Sequence, residues 1–295
     1  MQLVFTLGRM QNGAAQNTRL IAGHMLRQVD RIGLRTAALG RKLLGFVLTA
    51  RDLGAFALIT LGVLISKFNV APEIMRPRVR HEINRAGVRL LPMFVFLAIA
   101  LGLLVIGQAV AWLTPVGAID YLGPIIVIVV VRELGPLLTA LVVLARVGAA
   151  HVVELGNTRA LGEVEALETL GIDPVHYLVV PRLIGLALGI FSLTVYLIVG
   201  VLVSGYLWAF IQEVPLLPGQ YFRQVTSALG WLDFASIALK TIGFGFVIAT
   251  VTCYHGLARP LRLDEVPRAT VHAVAQSLVG CVLLDALFII IYLSA

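Results

Sequence analysis

Five long apolar blocks, at about 90–113, 121–150, 178–211, 231–255 and 272–293, leave this chain little choice of fold. Each reaches the ~20 residues that an α-helix needs to cross a hydrocarbon core. The apolar residues run on continuously, whereas an outer-membrane barrel alternates in segments of about ten residues. With 59% of its 295 residues hydrophobic, 13% charged and a mean hydropathy of +0.95, the chain reads as an all-α integral membrane protein. The surplus length of several blocks implies tilt, breaks or protruding ends.

Basic residues orient these spans. Arg76, Arg78, Arg80, Arg85 and Arg89 form a dense collar before the first block, and Arg159, Arg182, Arg259, Arg262 and Arg268 hold or adjoin two later connections. The intervening connections, 114–120 and 212–230, carry Arg223 alone. The Lys/Arg rule then predicts five spans with the N-terminus cytoplasmic and the C-terminus outside. The segment 46–66 is apolar but opens with Arg51 and Asp52 and is closed by Lys67, so crossing the membrane and lying on it are both open. Residues 1–39 form a basic extension suited to an anionic membrane surface or a partner. Leu3 to Leu7 is too short an apolar run for a secretory signal. A pI of 9.8 reflects this topology, and without interleaved aromatic and basic residues no nucleic-acid partner is expected.

The charges inside the spans carry the functional argument. Arg132, Glu133 and Arg146 lie in the second block, Lys240 in the fourth and Asp285 in the fifth. A charge near a bilayer centre costs roughly 2.5–3.5 kcal/mol on insertion scales, so such residues pair or line a polar path. Helical spacing puts Lys240 on a face with Ser236 and Gly243, and Asp285 on one with Ser277 and Cys281. Opposite charges on neighbouring helices either bridge them or border a cavity that accepts a polar headgroup, and spacing does not choose between the two.

The connection from Glu154 to Pro174 reads as a short helix. Ala160, Val164, Leu167 and Gly171 share one face, Glu165 and Glu168 project elsewhere, and Gly171, Asp173 and Pro174 supply the stop. An acidic helix among basic cytoplasmic segments calls for a partner protein, the alternative being a solvated face. No GxxxxGK[ST], HExxH or GxSxG motif occurs, and the histidines and the two cysteines, Cys253 and Cys281, lack ligand spacing, so neither catalytic residues nor a metal site is expected. Uphill transport would draw on an ion gradient, with Glu133 and Asp285 as proton sites, or on a separate ATPase. A non-transporting membrane anchor is a third reading.

The run Arg132-Glu133-Leu134-Gly135-Pro136, then Leu138-Thr139-Ala140-Leu141, Ala145-Arg146-Val147-Gly148-Ala149-Ala150 and Glu154-Leu155-Gly156, resembles the MlaE/YrbE-type permeases of ABC-type MCE lipid transport systems. The likeness continues through Glu165-Ala166-Leu167-Glu168, Gly171-Ile172-Asp173-Pro174 and Tyr177-Leu178-Val179-Val180-Pro181-Arg182, and more weakly from about Gly40 to the C-terminus. The resemblance implies a homodimeric inner-membrane permease spanning residues 40–295. It would have an interfacial helix at about 40–67 and five spans, with a coupling helix between the second and third. It further implies a cytoplasmic ABC ATPase carrying ATP and magnesium, no cofactor in this chain, an extracytoplasmic MCE-domain partner and a lipid substrate. Arg132, Glu133, Leu134, Lys240 and Asp285 would border the lipid cavity, and Glu163, Glu165, Leu167 and Glu168 would contact the ATPase.

Overall fold

A computed structural model describes residues 48–66, 72–212, 217–258 and 261–294. The N-terminal extension and the first residues of the interfacial segment lie outside them. Contacts divide the chain after Ala55, so the start of the first helix belongs with the N-terminal unit and everything from Phe56 onward forms a second unit. Among the described residues every element is helical and no strand occurs.

Among the described residues six helices are long and apolar enough to cross a membrane: α1 (Leu48–Ser66), α2 (Pro72–Leu113), α3 (Ile119–Ala160), α5 (Val175–Ile211), α7 (Trp231–Leu257) and α8 (Val266–Ser294). Two short helices, α4 (Glu163–Thr169) and α6 (Pro218–Ala228), lie in the connections. This is an all-α membrane protein.

The helices overrun the apolar blocks at their ends. At ~1.5 Å per residue the 42 residues of α3 extend about 60 Å, twice the ~30 Å of a hydrocarbon core. The first section of α2, Pro72–Ala86, is the basic collar itself folded as a helix, and it leaves helical dihedrals at Gly87 (φ −113°, ψ −80°) before the apolar section begins.

The expected single helix from 154 to 174 is corrected. Helix α3 runs unbroken to Ala160, and Gly162 (φ +77°) adopts the left-handed conformation that L-residues with a Cβ disfavour by roughly 1–2 kcal/mol, so α4 starts afresh at Glu163. Gly171 is also left-handed and falls beyond the end of α4, which removes it from the shared face. Helix α6 was not expected. It is held by the fully buried Tyr221, whose hydroxyl donates to the Leu202 carbonyl at 3.2 Å and whose ring stacks on Tyr206 at 5.2 Å.

One core runs through α2, α3, α5 and α7, with Phe94, Leu122, Leu186, Ile190 and Phe244 fully enclosed. The helices approach closely where small residues meet. A Cβ at Gly185 would stand 2.5 Å from that of Glu82, and one at Gly189 2.8 Å from that of Ala86, so α5 and α2 touch almost backbone to backbone there. A second, smaller cluster of Leu155, Val164, Leu178, Val179, Cys253 and Leu257 seats α4 against the ends of α3, α5 and α7.

Candidate functional site

Helix α3 widens into a π-helical segment at Val127–Leu134, and this is where its charges sit. Pro136, two residues beyond, has no N–H to offer the Arg132 carbonyl four residues earlier. That carbonyl accepts a hydrogen bond from Lys240 Nζ at 3.0 Å. A proline in the span thus creates an acceptor inside the membrane, and a lysine from α7 meets it.

Lys240 is also the centre of an ion bridge. Its Nζ donates to Glu133 Oε2 at 2.9 Å and lies 2.6 Å from Asp285 Oδ1, a contact close in distance without hydrogen-bond alignment. Only 4% of the lysine side chain is exposed, against 35% for Glu133 and 11% for Asp285. A lysine this enclosed needs opposite charges, since breaking a buried pair leaves an uncompensated ion.

Arg132 turns the other way along α7. Its Nε lies 2.7 Å from Asp233 Oδ1, its Nη2 donates to Oδ2 at 3.2 Å, and the guanidinium stacks 4.4 Å from the ring centroid of Tyr292. Asp233 also accepts the backbone N–H of Gly230 at 2.8 Å, which fixes it in the first turn of α7, where helix polarity favours a carboxylate. Asp233 and Lys240 are seven residues apart, two helical turns, so adjacent residues on α3 grip α7 at two levels about 10 Å apart.

Arg132, Glu133, Asp233 and Lys240 border a cavity of about 340 Å³ whose remaining wall is Ile128, Ser236, Ile237, Phe288, Ile289 and Tyr292. That volume is at the low end of the ~300–1,000 Å³ that encloses drug-sized ligands, so a two-chain amphipath would overhang it. A second cavity of similar size, between α2 and α5, is apolar apart from Tyr196 and Ser204 and holds no charge.

The structure therefore links four of the five cavity residues singled out from sequence, namely Arg132, Glu133, Lys240 and Asp285. Asp285 stands behind Lys240 and does not line the cavity, and it shares the buried face of α8 with Ser277 and Cys281. Leu134 is half-buried and also lies outside the lining of this cavity. Arg146 is exposed, in a second π-helical segment at Leu144–Gly148, away from the cavity. Sequence reading missed Asp233, although an acidic residue three positions after Gly230 is a recognisable start signal.

Asp233→Ala is expected to destabilise the folded protein by about 1–3 kcal/mol, because it strips both Arg132 and the Gly230 amide of their acceptor. Thermal unfolding in mild detergent reads the change, and Asp233→Asn, which keeps an acceptor oxygen, should recover part of it. Unchanged unfolding in the alanine variant would mean that the contact is not formed.

On α4, Glu163, Glu165 and Glu168 are exposed, and Leu167 turns inward against the small apolar cluster. The apolar groups that do face outward there are Leu161 (64% exposed) and Leu170 (74% exposed), at the two ends of α4. Glu165 pairs with Arg159 of α3 at 3.2 Å.

Residues 79–291, most of the chain and every charged residue of the site described above, match the family described as Permease MlaE. The chain belongs to the MlaE permease family. Among curated MlaE-like relatives, a probable ABC transporter permease protein of Rickettsia typhi is 29% identical over 231 residues, covering 77% of this chain and 87% of the relative. A probable ABC transporter permease protein of Synechocystis is 33% identical over 213 residues, 70% of this chain and 79% of that one. The chloroplastic protein TRIGALACTOSYLDIACYLGLYCEROL 1 of Arabidopsis thaliana is 28% identical over 206 residues, 70% of this chain and 58% of its own length. This MlaE permease is thus an ABC transporter permease, a multi-pass membrane subunit.

Proposed function

We propose that the protein is the transmembrane subunit of an ATP-driven MCE-type transporter that moves phospholipid or a similar hydrophobic molecule between the inner membrane and an extracytoplasmic MCE-domain partner. The observation that carries the reading is the cavity, where Arg132, Glu133, Asp233 and Lys240 stand among largely apolar walls inside an ABC permease. Apolar walls suit acyl chains and a few fixed charges suit a polar head. A relative that bears the name of a galactolipid adds support for a lipid.

The energy arrives on α4. Its outward glutamates, flanked by Leu161 and Leu170, form an acidic surface with apolar ends, suited to a groove on a cytoplasmic ATPase that holds ATP and magnesium. Membership of an ABC permease family moves the energy source off this chain and favours this account over ion coupling through Glu133 and Asp285. In the proposed assembly two copies form a homodimer, α1 lies at the interface, five helices span, the N-terminus is cytoplasmic and the C-terminus outside. Displacement of α4 on nucleotide binding would open and close the cavity.

Native purification of the tagged protein in mild detergent, with mass spectrometry of co-purifying proteins and lipids, tests the proposal. A stoichiometric ATPase, an MCE-domain protein and bound lipid are expected. A lipid-free protein without either partner would overturn it.

A further inference from the structure

About 30 Å along α3 from Arg132, at ~1.5 Å per residue, a second charged network joins three helices. Glu82 of α2 and His151 of α3 are both buried, with Glu82 Oε2 3.0 Å from His151 Nε2. Glu82 Oε1 lies 3.8 Å from Arg182 Nε of α5, and Arg182 Nη2 lies 3.5 Å from Glu154 Oε2. Glu154 is clamped from the other side by Arg85 of α2, at 2.5 and 2.8 Å. Arg182 also donates to the Leu178 carbonyl at 2.6 Å, which locks its fork in place. The cavity uses none of these groups.

Their position relative to α4 gives them a role. The apolar cluster that seats α4 draws on α3, α5 and α7, with Phe56 at its edge, and includes no residue of α2. What ties the first section of α2 to the ends of α3 and α5 is polar: Glu82 to His151 and Arg182, Arg85 to Glu154, and Arg78, which donates to the Tyr177 hydroxyl and lies over its ring. Beside them α2 and α5 meet through Gly185, Gly189 and Ala86, a smooth contact that allows close approach with little interlocking. Forked arginine–carboxylate pairs supply the directional grip that such a contact lacks.

We propose that the Glu82–His151–Arg182–Glu154–Arg85 network is the link through which movement of α4 reaches α2. Its members are positioning residues, and the inference rests on the reading of α4 as the surface on which the ATPase acts. When α4 shifts, the ends of α3 and α5 that flank it shift too, and the network carries that shift into Pro72–Ala86 and through Gly87 into the apolar section of α2.

Hydrogen exchange on the permease–ATPase complex in detergent, with and without ATP, reads the link directly. In the wild type ATP is expected to change amide exchange at least twofold in both 163–169 and 72–86. In Arg85→Gln, and independently in Glu154→Gln, the change in 163–169 should persist while that in 72–86 is lost, and Arg85→Lys should restore it. An ATP response of 72–86 that survives both glutamine variants would overturn the link, as would a wild type in which 163–169 responds and 72–86 does not. Failure of the ATPase to bind, or of 163–169 to respond in the wild type, would instead bring down the docking role of α4, and the link with it.

Discussion

Lys240→Ala is expected to lower the stability of the folded permease by about 3 kcal/mol and to strip most of the lipid that co-purifies with it. The substitution removes the shared cation of Glu133 and Asp285, and loss of one partner of a buried pair costs roughly 3–5 kcal/mol. Glu133 is a third exposed, so solvent screens part of its charge and the lower end applies. A companion variant separates architecture from function. Lys240→Met combined with Glu133→Gln and Asp285→Leu leaves no unpaired ion, so unfolding temperature should return towards wild type while bound lipid stays low. Full lipid retention in that triple variant would reduce the charges to a helix clamp, and an unchanged melting temperature in Lys240→Ala would mean that the bridge does not form.

The second large effect is expected on assembly. Glu165→Lys with Glu168→Lys should cut ATPase recovery in a pull-down at least tenfold while the permease unfolds within about 1 kcal/mol of wild type. The stability estimate follows from exposure: the one ion pair lost, Arg159–Glu165, has its carboxylate half in solvent, and such pairs contribute only ~0–1 kcal/mol. The assembly effect follows from reversing the sign of the outward face of α4. Undiminished ATPase recovery would remove α4 from the interface.

The membrane spans were legible because hydrocarbon demands long uninterrupted apolar runs, and nothing else in this chain produces them. Their ends were not, because outside the hydrocarbon a helix needs no apolar signature. Pro72–Ala86 reads as a string of arginines, and α3 continues ten residues past the last residue of its apolar block. That α4 restarts at Gly162 was not legible either, since a glycine costs a helix only ~1 kcal/mol and many helices absorb it. The individual charges at the cavity stood out against apolar neighbours, yet their pairing did not. Arg132 finds Asp233 across 101 residues and Glu133 finds Lys240 across 107, distances at which no local period operates. The network around Glu82 was invisible for a related reason: its members lie in segments already rich in charge, where one more Glu or Arg raises no suspicion.

The hydrogens of Lys240 have a chemical consequence of their own. An ammonium carries three N–H donors and no acceptor. One is given to Glu133 and one to the Arg132 carbonyl, and the carboxylate of Asp285 closes the remaining side. At 4% exposure the lysine therefore has little with which to greet a guest, although it is the cation most deeply set in the site. The neighbouring Glu133 and Arg132 side chains, 35% and 21% exposed, offer an entering molecule more. Arginine at position 240 would be a poor substitute, because a flat five-donor fork does not fit a pocket whose two acceptors and one further carboxylate converge on a single nitrogen.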